Sequence, residues 1–199
     1  MCIYEYMKSN NITKAFICDS DILIYDNISK MMDTYFENKN FMLCSSGSKN
    51  TSGSASFWNI KSLNKFVSFI FTFYTTQATK MEEWYKSYNE PGGVCDMTLL
   101  YYFSHNATEF VGLRLPGFPY FENDLTQIFD NSFTFDLHMG VSGNHIYPED
   151  YEMNENRKKI KMIDNQPYCY CKRLNKDIRF ILLHFQGQNK KVMPNYKIT

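Results

Sequence analysis

The order of short apolar runs and helical periods predicts an α/β chain, a mixed sheet flanked by helices. Two observations carry that expectation. Runs of four apolar or small residues bounded by polar turns, at 15–18 (AFIC), 41–44 (FMLC) and 55–58 (ASFW), read as buried strands. Between and after them, apolar residues recur at helical spacing, most clearly Leu63, Phe66, Val67, Ile70, Phe71 and Tyr74. Strands alternating with helices point to a sheet covered by helices.

Taken in order, residues 3–8 form a short helix-like stretch closed by the turn Ser9-Asn10-Asn11. The run 15–18 ends at Asp19, and a second apolar segment covers 22–25. Asp26-Asn27 then caps a helix over 28–36, because a side-chain oxygen there accepts from the unpaired N–H groups of the first turn. After the strand at 41–44, residues 45–54 (SSGSKNTSGS) read as a polar loop, 55–58 as a strand and 62–74 as a helix. A further helical run covers 80–88, Pro91-Gly92-Gly93 breaks the chain, and 96–104 forms a helix with Asp96 in its first turn, where a carboxylate suits the dipole. Residues 110–115 read as a strand. Residues 116–157, rich in Pro, Gly, Asn and Asp, read as a loop-rich insert or lid. The segments 158–163 and 167–172 make a hairpin around Asp164-Asn165. Residues 178–185 (IRFILLHF) form a strong strand, which Gly187 ends ahead of a basic tail.

The chain has 199 residues, one domain's worth, and neither repeats nor low-complexity segments. Its 21 Lys+Arg balance 21 Asp+Glu, which disfavours a general nucleic-acid or anionic-membrane binder. The longest apolar stretch, 66–74, falls far short of the roughly 18–20 residues of a membrane span. The opening residues lack the basic start, apolar run and cleavage site of a secretory signal. Six cysteines match no zinc or disulfide framework; Cys169 and Cys171 are one residue apart, whereas paired metal thiolates usually sit two to four apart. Reduced thiols and a cytoplasmic location are expected.

Two places carry chemistry. Asp19-Ser20-Asp21 follows the strand AFIC, so two carboxylates can face one hard divalent cation from a tight turn. In open α/β sheets ligands gather at the carboxyl ends of strands. The second place is His184-Phe185-Gln186-Gly187-Gln188-Asn189-Lys190-Lys191. A neutral imidazole can complete a site that carboxylates began. Gly187 permits a sharp turn and close backbone approach, and the lysines can neutralise phosphate oxygens. Read singly, each place is equally consistent with a solvated turn or tail.

Together, acid-Ser-acid after an early strand and His-x-x-Gly-x-x-Lys after the last strand resemble the nucleotide-sugar glycosyltransferases of GT-A fold. The likeness is nearest to the glycogenin and lipopolysaccharide-galactosyltransferase branch, whose tail motif reads His-Phe-x-Gly-x-x-Lys-Pro; here Lys191 replaces the proline. FICDSDILIYDNI, TSGSASFWNIKSL and GGVCDMTLLYYF resemble further segments of that branch, with Met97 where the branch has Gln. The resemblance implies a GT-A-like mixed sheet and transfer of a sugar from a nucleoside-diphosphate sugar to an acceptor hydroxyl. It implies Mn²⁺ or Mg²⁺ held by Asp19, Asp21 and His184, and a diphosphate contacted by Lys190 with Gly187 and Ser20 nearby. Asp96 would touch the donor sugar or the acceptor, a glycan, lipid-linked group or protein. Trp58, Tyr120 and Phe121 are candidates for stacking on a sugar, or else core aromatics; His138 and His145 read as loop residues. In the family a long nucleotide-binding part precedes the metal motif, whereas 18 residues precede Asp19 here, so the expectation is a partial, N-terminally truncated domain over 1–199.

Two rival readings stand beside this one. A haloacid-dehalogenase-like phosphatase also places Asp-x-Asp after an early strand, with Asp19 as nucleophile, Asp21 as acid/base and Ser45 as the second-strand hydroxyl. It lacks the usual Gly-Thr after the second Asp and a late acidic pair. A non-catalytic relative of the transferases is the other.

Overall fold

The computed structural model describes residues 2–45, 51–76, 79, 86, 95–104, 126–140 and 150–198. Four α-helices appear among them: α1 (Cys2–Ser9), α2 (Ile28–Tyr35), α3 (Ile60–Thr76) and α4 (Asp96–Ser104). A 3-10 segment, Gly187–Tyr196, lies near the carboxyl end. The strands are β1 (Lys14–Cys18), β2 (Ile22–Ile24), β3 (Phe41–Ser45), β4 (Thr51–Asn59), β5 (Phe133–Thr134), β6 (Met153–Asn154), β7 (Arg157–Lys158), β8 (Lys161–Ile163), β9 (Gln166–Cys171), β10 (Lys176–Phe180) and β11 (Leu182–His184).

The chain is mixed α/β, but its strands do not form one mixed sheet. Among the described residues there are four sheets: β1-β4-β3, β5-β10-β9-β8, β2-β11 and β6-β7. Only β5 and β10 pair in parallel. The first sheet is antiparallel throughout and is buried on both faces, so period-2 alternation divides its side chains between two cores. Phe41, Leu43 and Trp58 join α1, α3 and α4 on one side through Met7, Phe69, Phe73, Leu100 and Phe103. Met42, Cys44 and Phe57 meet Phe36, Phe133, Phe135, Ile181 and Leu182 on the other. A third cluster, with Tyr25, Cys169, Cys171, Ile178, Phe180, Leu183 and Phe185, underlies β9–β11.

Local signals account for several boundaries. Asn27 caps α2, its side chain accepting from Lys30 N at 3.0 Å. Asp164 and Asn165 sit at φ 50° and 61°, the left-handed pair that a two-residue hairpin between β8 and β9 requires. Trp58 is 3% exposed and stacks between Phe41 and Phe66, with ring centroids 5.3 and 5.4 Å away. It is a core residue and has no open face for a sugar.

Three further expectations are corrected. The loop expected over 45–54 ends earlier: β4 begins at Thr51, and Thr51, Ser54 and Ser56 are buried. The strand expected over 178–185 is two strands in different sheets. Ile181 hands the chain over, its N–H donating to Thr134 O and its carbonyl accepting from Tyr25 N, both at 2.9 Å. Phe180, Ile181, Leu182 and Leu183 are all buried, so the uniform apolar run conceals the bend. The lid expected over 116–157 is core across its described centre. Phe133, Phe135 and Met139 are buried, and a tight turn at Asp130 and Asn131, where φ is 49° and 52°, precedes them. The helix expected over 80–88 (apart from Lys86), the strand expected over 110–115, Tyr120, Phe121 and His145 lie outside the described residues.

Candidate metal and diphosphate site

Asp19-Ser20-Asp21 is the turn where the chain leaves one ladder for another. β1 runs antiparallel to β4, with Cys18 opposite Ala55, and Asp19 N continues that ladder to Ser54 O at 2.8 Å. The β3–β4 register shifts between Leu43 and Cys44, so a bulge in the paired strands lies beside the turn, a common device for re-aiming side chains at a site. β2 then pairs with β11 instead. Its register sets Ile22 against His184, and Phe185 N donates to Asp21 O at 2.9 Å.

That register brings the two distant motifs together. One ligand atom each of Asp19, Asp21 and His184 lies within 4.8 Å of the others. Donors at about 2.0–2.1 Å from a Mg²⁺ ion stand about 4.2 Å apart when opposite and about 3 Å apart when adjacent, so three side chains within 4.8 Å of one another would draw closer to share one ion. The two carboxylates suit Mg²⁺ or Mn²⁺ in chemistry, and an imidazole is a common further ligand.

His184 is buried, and its tautomer follows from its partners. Nδ1 lies 2.7 Å from Leu137 O; a carbonyl only accepts, so Nδ1 carries the proton. The other ring nitrogen, Nε2, stands 3.7 Å from Asp21 Oδ1. Lys190 Nζ lies 3.1 Å from Asp21 Oδ2, with its side chain largely in solvent. Burial by itself would raise the Asp21 carboxyl, but the Lys190 hydrogen bond and the nearby His184 outweigh it and hold the group below the ordinary aspartate range. Partial desolvation and the Asp19 charge both push the Cys18 thiol up, so it stays protonated.

Gly187 has φ +61° and open space where a side chain would begin. That left-handed turn begins the 3-10 segment and lets Lys190 return to Asp21. Tyr25 Oη donates to Tyr196 O at 2.8 Å, and Tyr196 packs on Phe185, so the segment is pinned at its far end. Ser20 is exposed between the two acids. Asp96 opens α4 and is exposed. Among the described residues no hydrogen bond or ion pair joins it to the acidic cluster. α4 packs on β4 close to Gly53, where a Cβ would lie 2.9 Å from Leu100 Cδ1.

Sequence reading overlooked four residues around this cluster: Asp136, Leu137, His138 and Lys158. His138 was expected to be a plain loop residue, yet its ring centroid is 5.9 Å from that of His184. Its Nδ1 accepts from Gly140 N at 2.7 Å, and burial, the largest influence, holds the imidazole below its ordinary value. The one available signal was FTFDLHM itself, a charged residue inside an otherwise apolar run.

A scan against protein-family models and a search of curated proteins find no match to this chain. The described helices include none long and apolar enough to cross a membrane.

Proposed function

We propose that this chain is a metal-dependent, GT-A-like glycosyltransferase that moves a sugar from a nucleoside-diphosphate donor to an acceptor hydroxyl. The observation that supports this reading most is the convergence of Asp19, Asp21, His184 and Lys190 from the two ends of the chain. The barrier to sugar transfer lies largely in the negative charge that builds on the departing diphosphate, and preorganised positive groups lower it. Asp19, Asp21 and His184 would hold Mn²⁺ or Mg²⁺. When bound, such an ion supplies Lewis-acid neutralisation of the diphosphate oxygens.

The chain's own groups do the rest. His184 commits Nδ1 to Leu137 O, which leaves Nε2 facing Asp21. Lys190 reaches Asp21 from a solvent-facing position and contributes its charge to the diphosphate. The free backbone space at Gly187 and the exposed Ser20 let phosphate oxygens approach the turn. Asp96, at the open end of α4, positions the donor sugar or the acceptor hydroxyl.

Calorimetric titration of UDP and UDP-sugars, with Mn²⁺ and then with EDTA, tests the reading. Mn²⁺-dependent binding that is lost in Asp21→Ala is the expected result. Binding by the folded chain that is indifferent to EDTA and to Asp21→Ala overturns it. So does Asp21→Ala turnover within threefold of the parent.

A further inference from the structure

We propose that the buried Asp136–Lys158 pair is a positioning device that holds His184 with its Nε2 facing Asp21. The geometry stands on its own, while its purpose rests on the cation-site reading above.

The segment 136–139 grips His184 at each polar atom except Nε2. His184 N donates to Asp136 Oδ2 at 3.0 Å, Nδ1 donates to Leu137 O at 2.7 Å, and the His184 carbonyl accepts from Met139 N at 3.0 Å. Rotation of the ring about its χ angles would break the Nδ1 bond, and slippage of the strand would break the other two. Lys158 locks the same segment from behind. Its Nζ donates to Asp136 Oδ1 at 2.9 Å and to His138 O at 2.7 Å, and its backbone N donates to Met139 O at 2.7 Å. The ammonium also faces the rings of Tyr151 and Phe180, 5.7 and 5.9 Å from their centroids.

Asp136 is 0% and Lys158 3% exposed. A pair so fully removed from water is an expensive way to fill a core, because apolar residues of similar volume generally do it as well or better. What an apolar pair cannot do is accept a hydrogen bond from His184 N and anchor the carbonyls beside it. A ligating histidine ordinarily donates its second ring nitrogen to a carbonyl or carboxylate, which fixes tautomer and ring orientation. Here Leu137 O supplies that acceptor, and the ion pair fixes the position of Leu137.

The test uses the metal-free chain first. Imidazole ¹⁵N shifts should show His184 as a single Nδ1–H tautomer in the parent. In Asp136→Ala/Lys158→Met, which removes both charges and leaves neither stranded, cooperative melting should persist while His184 becomes a mixture of tautomers. Mn²⁺ affinity should then fall about 10- to 100-fold. If the double variant does not fold, Asp136→Asn serves instead: its amide presents one acceptor oxygen to two donors, and the same mixing is expected. A parent with Nε2–H, or a folded variant that keeps the pure Nδ1–H form, overturns the proposal. Mixed tautomers with Mn²⁺ binding absent or unchanged support the positioning role and count against His184 as a ligand.

Discussion

His138 and His184 stand side by side but carry their protons on opposite nitrogens. His184 donates from Nδ1 to a carbonyl, whereas His138 accepts at Nδ1 from Gly140 N and so keeps its proton on Nε2. Charging His138 would place a proton where Gly140 N–H already points, in a half-buried site. Its folded pKa accordingly lies below the ordinary 6.5, burial being the main cause. A depressed histidine contributes stability that is complete above the unfolded value and is lost as pH falls through the folded one. The melting temperature of the parent should therefore drop as pH falls below the ordinary histidine value. His138→Asn, which keeps an acceptor for Gly140 N, should show a shallower drop over that window in thermal melts at fixed ionic strength. Asp21 does not confound the comparison: its carboxyl is also depressed, so its contribution is present above the ordinary 3.8 and is lost only at more acid pH. At the same scale the cysteines resolve as packing residues. Cys169 and Cys171 point to one side of β9 into the core, and burial pushes the Cys169 thiol up to about 11.

Elements here are held by local chemistry at their ends and by register along their length. Asn27 satisfies one of the unpaired N–H groups of α2, and Asp26 braces the same turn through Arg179 Nη1 at 2.8 Å. Asn27→Ala should cost about 1 kcal/mol in urea denaturation. The β8–β9 turn makes the complementary case. Asn165 occupies a left-handed conformation that a β-branched residue adopts only with strain, so Asn165→Val should cost about 1–2 kcal/mol. Asp177 on β10, which pairs with Lys161 of β8 over the exposed face of β9, should matter far less, because a solvated ion pair contributes little. The β2–β11 ladder is short, but the site depends on its register. A slip by one residue would turn His184 away from Asp21 and carry Leu183 out of the core.

Across the whole molecule, aromatic packing joins the ladders. Phe103 on α4 meets Phe41, Trp58, Phe66 and Phe69 at centroid distances of 5.4, 6.2, 5.0 and 5.8 Å. Phe103→Ala should cost about 3–5 kcal/mol by chemical denaturation, since no neighbour can collapse into the space without leaving another contact. On the far face of the same sheet, Phe36, Phe57 and Phe135 form the counterpart that carries segment 133–139 to β11. The strap that grips His184 is thus seated on the core and does not close over it.

Much of this was legible in the residues. AFIC ending at Asp19, the Asn27 cap, the 62–74 helical face, the Asp164-Asn165 turn and the helix opened by Asp96 all follow from local chemistry, because their determinants lie within a few residues of one another. The pairing of the Asp-Ser-Asp turn with His-x-x-Gly-x-x-Lys was also expected, though only through a resemblance of motifs. The tertiary structure alone decided how they meet. Nothing local distinguishes a strand that pairs with β2 from one that continues β10, so the break at Ile181 was invisible within the apolar stretch 180–183. Asp136 and Lys158 were hidden for the opposite reason. In a segment whose wider composition reads as a loop, or in a hairpin, a charged residue is taken as solvated, and only packing shows that both are removed from water and paired with each other beside His184. Local pattern determined where the chemical groups sit along the chain. Long-range register and burial decided which of them share one site, because those depend on residues far apart in the chain and near in space.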